Sequence, residues 1–197
     1  VLMKKFFVFF LSFIVAASAL SAQTTRWELD PSHSELGFRA KHLLIATTKG
    51  KFTDYKVTVL SDKADFTDAK IEVIAKVKSI FTDNNDRDNH LRSADFFDAE
   101  KYPELKFVGK SVKKVSGNKY KVTGDLTMKN VTKTVTLDME FGGVVKDPWG
   151  NTKAGFTLTG ELNRFDYGLA WNKAIETGGL VVDKMIKLDI EIELGKK

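Results

Sequence analysis

Val131-Thr132-Lys133-Thr134-Val135-Thr136-Leu137-Asp138-Met139-Glu140-Phe141 decides the fold class. Val131, Val135, Leu137, Met139 and Phe141 share one parity with a single charge, Lys133, while Thr132, Thr134, Thr136, Asp138 and Glu140 hold the other. Successive side chains of a strand point to opposite faces, so this run is a strand with one buried face. Ile186, Leu188, Ile190, Ile192 and Leu194 alternate in the same way with Lys187, Asp189, Glu191 and Glu193, and Tyr120, Val122, Gly124, Leu126 and Met128 face away from Lys121, Thr123, Asp125 and Thr127. Further strands are expected at about residues 33–42, 50–60, 69–81, 105–115 and 153–163, which makes eight. Turn residues separate them at Ser116-Gly117-Asn118-Lys119, Lys129-Asn130 and Asp147-Pro148-Trp149-Gly150-Asn151. Strands joined by such short turns are antiparallel.

Residues 83–104 break the pattern: they lack alternation and place acidic and amide residues before Leu91, as a short helix with an N-cap would, with Pro103 as its stop. Eight amphipathic strands must hide an apolar face and two sheet edges. Rolling into a closed barrel does both, and a sandwich is the alternative. The expectation is one all-β domain over residues 23–197, an eight-stranded antiparallel barrel with a short helical insertion.

Residues 1–22 read as a secretory leader rather than as fold. Lys4 and Lys5 precede an apolar run from Phe6 to Ala17, and small residues follow, with cleavage open between Ala17-Ser18-Ala19, Ala19-Leu20-Ser21 and the bond after Ala22. A membrane anchor would need about 20 apolar residues, more than this run has. The expected location is therefore the periplasm or the exterior of a bacterial cell. Basic residues exceed acidic ones by 31 to 26, two of the 31 being in the leader, and they are mixed along the chain instead of clustered, which argues against nucleic acid. With no cysteine, disulfides, thiolate catalysis and sulfur-ligated zinc are excluded.

The apolar faces mix large and small residues. Leu36, Phe38 and Ala40 lie on one; Ile71, Val73, Ala75 and Val77 on another; Leu105, Phe107 and Gly109, then Val122, Gly124 and Leu126, then Ala154, Phe156, Leu158, Gly160 and Leu162 follow. Small residues in register would leave an apolar tunnel, since eight strands are about enough to hold one small ligand. The alternative is that they mark bulges and corners. Under the tunnel reading Phe38, Ala40, Val73, Ala75, Phe107, Gly124, Leu126, Leu137, Phe156 and Leu158 line it, and a long-chain lipid is the ligand that fits.

Polar chemistry concentrates at Arg87-Asp88-Asn89-His90-Leu91-Arg92. Arg87, His90 and Arg92, with His33, are candidates for a phosphate or carboxylate head group at a barrel mouth. The competing reading is an ion-pair network among Asp83, Asp86, Arg87, Asp88 and Arg92 that pins the insertion. A calcium loop from Asp83 fails, because its sixth position is Asp88 and its twelfth Ala94. His33, His42 and His90 are too scattered for a metal site, and Ser34 beside His33 has no nucleophile elbow around it. Trp149 and Trp171 fall in loops, either closing over a ligand or plugging an end.

Trp27-Glu28-Leu29-Asp30, His33-Ser34, Lys41-His42, Gly50-Lys51-Phe52, the run from Arg87 to Phe107, Gly124-Asp125-Leu126-Thr127, Val131-Thr132-Lys133 and Asn163-Arg164-Phe165-Asp166-Tyr167-Gly168 together resemble the YceI-like family. The resemblance spans the chain beyond the leader. It implies a lipocalin-like barrel that binds polyisoprenoids, quinone-like isoprenoids or other long amphiphiles, with no shared catalytic set. Asn130 stands where the family usually has Gly, a residue type that tolerates a left-handed turn. The expected partner is thus a long-chain lipid such as a polyisoprenoid or quinone precursor, with no cofactor, no metal and no catalysis, no membrane-embedded state, and a homodimer left open. The rival readings are a hydrolase or isomerase of a lipid-linked substrate working through His90 or Asp88, and a stress or adhesion scaffold without ligand.

Overall fold

The computed structural model describes residues 24–172 and 181–197, so the expected leader, residues 1–22, lies outside the described residues. Three broken staves come first. β1 (Arg26–Leu29) and β2 (Glu35–His42) are parted by a 3-10 turn at Pro31–His33, capped by the Asp30 side chain, which accepts from Ser32 N at 3.0 Å. Pro31 has no N–H to give to a ladder. β3 (Ala46–Phe52) and β4 (Tyr55–Leu60) make the second stave, β5 (Lys70–Lys76) and β6 (Ile80–Phe81) the third. Five continuous strands complete the set: β7 (Glu104–Ser116), β8 (Lys119–Met128), β9 (Val131–Lys146), β10 (Thr152–Asn163) and β11 (Val182–Lys196).

All neighbours are antiparallel. β11 pairs with β10 along one edge and with β1 and β2 along the other, at Leu29↔Leu194 and Leu36↔Ile190, so the sheet closes into an eight-stave barrel instead of a sandwich. Closure pairs both edges of each of the five long strands, while β3 meets β6 only at Lys51 and Phe52. The first stave begins at Arg26, earlier than alternation alone marks it, because a four-residue strand ending at a turn carries too few alternations to register. β9 runs past Phe141 to Lys146 through Gly143, whose φ of 110° and the register shift at Gly155/Phe156 identify a bulge that the side-chain pattern cannot reveal.

The insertion holds one helix, α1 (Asn85–Arg92). The Asn84 side chain accepts from Arg87 N at 2.9 Å as its N-cap. It stops at Ser93, not at Pro103: Ser93 N and Oγ turn back onto the Asn89 and His90 carbonyls, and turns fill the rest of the segment. In the β8–β9 hairpin the left-handed residue is Lys129, with φ of 53°, while Asn130 uses its side chain to donate to Tyr102 Oη at 3.2 Å. Among the described residues no helix is long and apolar enough to cross a membrane.

At the end of the barrel formed by β1, the carboxyl end of β11 and the start of β10, Lys153 Nζ lies 2.5 Å from Asp30 and 3.1 Å from Glu193. This ammonium ties the 3-10 corner to two strands. Its hydrogen bond holds the Asp30 carboxyl down at about 2. Folding therefore gains stability from ionised Asp30 that is complete above the ordinary carboxyl range and is lost as the pH falls through about 2. Denaturant midpoints of wild type and Lys153→Met are expected to differ by a constant amount above about pH 4 and to converge toward about pH 2. A gap that persists unchanged in acid would show that the strut contributes nothing through its charge.

Candidate ligand tunnel

A cavity of about 580 Å³ runs inside the barrel. That is within the range of ligand pockets. Its wall includes Phe38, Ala40, Val73, Ala75 and Phe107, and on the strands that follow Leu126, Leu137, Phe156 and Leu158. Gly124 does not reach it, because the Phe107 ring lies over it: a Cβ at position 124 would collide with the ring tip and come within 2.5 Å of the Val108 carbonyl oxygen. The same arrangement recurs twice. Phe38 lies across its cross-strand partner Gly50, and Leu137 lies against Gly160, where an added Cβ would sit 2.5 Å from Leu137 Cδ2. Glycine thus lets three large side chains lean along the wall instead of toward the axis. Gly109 fits the alternative reading, since the β7–β8 register shifts immediately after it.

One end is plugged. Phe66, 2% exposed and held at φ of 57° in the loop between β4 and β5, packs 4.9 Å from both Trp27 and Phe156 and 5.5 Å from Phe141. Asp68 fixes that loop by accepting from Ser61 Oγ at 2.6 Å and Asp62 N at 3.0 Å, and the Ser61 bond foremost pulls its pKa below the usual carboxyl value.

The other end is the mouth, overhung by α1. Arg87 donates from Nε to Thr82 Oγ1 and from Nη2 to Thr82 O, both at 2.7 Å, and Thr82 Oγ1 donates to buried Asp88 at 2.5 Å. Hydroxyl-mediated bonds thus replace a direct Arg87–Asp88 ion pair in pinning the helix. His90 Nε2 is 3.1 Å from Asp95 Oδ2, and its ring stands edge-on to Phe96 and Trp171 at 5.0 and 4.7 Å. Arg87 and His90 both border the cavity.

Arg92 and His33 do not join them. Arg92 turns back to donate to Ile80 O at 2.6 Å and Asn89 Oδ1 at 3.2 Å, because a residue five positions after Arg87 lies on another helix face. His33 sits beyond the plug, with Nδ1 3.4 Å from Asp30 and 3.8 Å from Glu193. Those three side chains have metal-like proximity, but the Lys153 ammonium already bridges the two carboxylates.

Arg164 is the residue that motif reading left without a role. It is 4% exposed, borders the cavity, and donates to Asp183 O at 2.9 Å, Trp171 O at 2.8 Å, Val182 O at 3.1 Å and also Leu169 O. Burial lowers its pKa, and the Asp183 carboxylate opposes that shift. No period marks such a residue in the sequence, since its partners are carbonyls brought together only by the fold. Lys41, His42, Arg87, His90, Lys106 and Arg164 border the cavity against one carboxylate, Asp86. Lys106 is paired with Glu72 at 2.6 Å, so the apolar bore is bordered by Lys41, Arg87 and Arg164 as cations against Asp86.

A model of the YceI-like domain matches residues 27–194. A UPF0312 protein of Staphylococcus aureus (strain MSSA476) is 41% identical over 170 residues, covering 86% of this chain and 96% of that one. The crystal structure of a Campylobacter jejuni YceI protein superposes with a TM-score of 0.69 at 39% identity, over 80% of this chain and 90% of that one. A domain from Saccharophagus degradans described as polyisoprenoid-binding shares the fold at a TM-score of 0.62 and 14% identity, over 87% of this chain and 98% of that one.

The glycines make a separable prediction. In Gly160→Ala the obstructing atom is the flexible tip of Leu137, which can swing into the bore; the fold is expected to persist while uptake of a fluorescent fatty-chain probe falls. In Gly124→Ala the obstruction includes the Val108 backbone, so a loss of about 1–3 kcal/mol in stability is expected. Thermal unfolding and probe titration of the two variants check this. Equal probe capacity in Gly160→Ala and wild type would mean that Leu137 does not set the width of the bore.

Proposed function

This chain belongs to the YceI-like family, and we propose that it is an exported binding protein that sequesters or carries an isoprenoid or other long-chain amphiphile inside the barrel, without chemistry of its own. The observation behind this reading is the bore: about 580 Å³, walled by aliphatic and aromatic side chains, plugged by Phe66 at one end and bordered by cations at the other. Each methylene moved from water into such a wall is worth about 0.8 kcal/mol, so chain length alone can supply affinity. Selectivity then falls to the mouth. Arg87 retains donors beyond its two bonds to Thr82, and with His90 beside it suits a phosphate, phenol or carbonyl head group. The polyisoprenoid-binding description of the Saccharophagus degradans domain and the leader pattern of residues 1–22 support the ligand class and the export, respectively.

The rival catalytic reading runs through His90 or Asp88: His90 Nε2 is engaged with Asp95 and its ring is packed by Phe96 and Trp171, and Asp88 is buried and accepts from Thr82 Oγ1. In the binding reading these contacts orient His90 toward a head group.

Native mass spectrometry of the protein purified from its cell envelope is expected to reveal a co-purifying long-chain molecule. Leu158→Trp, which fills the bore, is expected to abolish the adduct, and Arg87→Gln to change which head groups are retained while leaving uptake of a simple alkyl chain intact. Repeated recovery of ligand-free protein that also refuses alkyl and isoprenyl probes would defeat the binding reading. Turnover of an isoprenyl phosphate that disappears in His90→Ala would replace it with an enzymatic one.

A further inference from the structure

We propose that the β2–β3 hairpin is a membrane-docking tip that seats the mouth of the barrel on an anionic lipid surface. The proposal deepens the carrier reading and rests on it, because a protein that encloses a long-chain lipid must collect it from, or deliver it to, a bilayer.

The tip is Leu43-Leu44-Ile45, closed by Ile45 N donating to His42 O at 3.2 Å. Leu43 and Leu44 have φ of 50° and 64°. Two successive left-handed residues in a tight hairpin call for Asn and Gly, which adopt that backbone at little or no steric penalty. Here two leucines adopt it, and the result is that Leu44 and Ile45 stand 59% and 84% exposed. Neither the turn nor the barrel core requires those side chains. Backbone strain that presents apolar residues to water points to a surface that takes them up.

Position and charge identify that surface. Lys41 and His42 of the hairpin border the cavity, and Leu43 N donates to Val181 O, another bordering residue, at 3.0 Å, so the tip belongs to the mouth. Lys41 and Lys49 are exposed on its two strands, and neither has a carboxylate partner among the described residues, whereas Arg39, the cross-strand partner of Lys49, is neutralised by Asp189. Among the described residues Asp183 follows Val182, the partner of His42 at the base of the hairpin, and its carboxylate is engaged with Met185 N at 3.2 Å. Apolar residues at the apex with unpaired lysines behind them match the layering of an anionic bilayer, acyl chains below and phosphates above. The exposed Trp149 lies at the other end of β11, beside the plug, where docking would hold the mouth away from the membrane.

The absence of cysteine allows a single reporter at a time. In the full chain, Ile45→Cys and Trp149→Cys each carry an environment-sensitive fluorophore, and vesicles of phosphatidylcholine with phosphatidylglycerol are added. A blue shift at position 45 without one at 149 is expected. A shift at 149 alone, or at neither, overturns the proposal, as does a shift at 45 that grows with protein concentration in the absence of vesicles, which would assign the tip to a second copy. The double variant Leu44→Ser/Ile45→Ser, unlabelled, is expected to slow transfer of a dansyl isoprenyl chain from these vesicles about tenfold or more, while uptake of the same probe from ethanol solution stays unchanged. Unaltered transfer sinks the docking tip and leaves the cavity reading standing. Failure of the wild type to take up the probe from ethanol defeats the carrier reading, whatever position 45 does.

Discussion

Three side chains lean on three glycines, and the interior depends on it. An eight-strand barrel is narrow enough that inward side chains can meet at its axis and form a solid core. Phe38 over Gly50, Phe107 over Gly124 and Leu137 against Gly160 send their bulk sideways along the wall. Each glycine sacrifices some strand propensity, having no side chain to pack. In exchange, a large apolar residue covers the neighbouring backbone without projecting into the lumen. The bore is thus a consequence of paired positions on adjacent strands, one large and one absent, rather than of uniformly small residues.

The two ends differ in how they are finished. At the plug, Phe66 is forced into a left-handed backbone and wedged among Trp27, Phe141 and Phe156, and the loop that presents it is tied down by Asp68. Such strain persists only where surrounding contacts over-determine it. At the mouth, Arg164 buries a guanidinium among carbonyls from both sides of residues 173–180, fixing Leu169 and Trp171 relative to Val182 and Asp183 without a direct carboxylate bond. A buried cation satisfied by neutral acceptors leaves positive potential at the lip. One end is therefore sealed by dispersion, and the other is apolar within and electropositive around the rim.

Much of this was legible in the residues because period-two alternation is a local property. β7 to β11 run long enough to repeat it, and their turns carry the expected Gly, Asn and Asp. β1 was not legible: four residues before Pro31 give too little signal. The tunnel wall followed from parity, but the fate of Gly124 did not, since the lean of a Phe ring is set by the neighbouring strand. The polar cluster was partly legible. Arg87 and His90 are three apart and share a helix face, whereas Arg92 falls on another, a distinction that needs the helix boundaries. His33 was placed by residue type alone, and a 3-10 turn carries it to the sealed end. Arg164 was opaque because its role arises from carbonyls five to nineteen positions away.

A hollow barrel forgoes the dispersion contacts a filled axis would provide, since atoms lining an empty space lack partners on one side. The burial that stabilises this fold comes instead from side chains packed against one another around the wall and at both ends. Side chains fall below a tenth exposed in the cluster around Trp27, Phe66, Val122 and Leu194, in that around Phe96, Met128, Leu162 and Leu169, in a third around Phe52, Ala75 and Ile80, and at Leu137 and Ile190 of the wall. With no disulfide to help, these clusters and the strand pairing hold the wall around the middle of the bore. A ligand occupying that middle would supply the missing contacts and shift the folding equilibrium by mass action. Occupancy and stability are then linked by construction: the glycines that keep the bore open also make the empty protein less stable than the filled one.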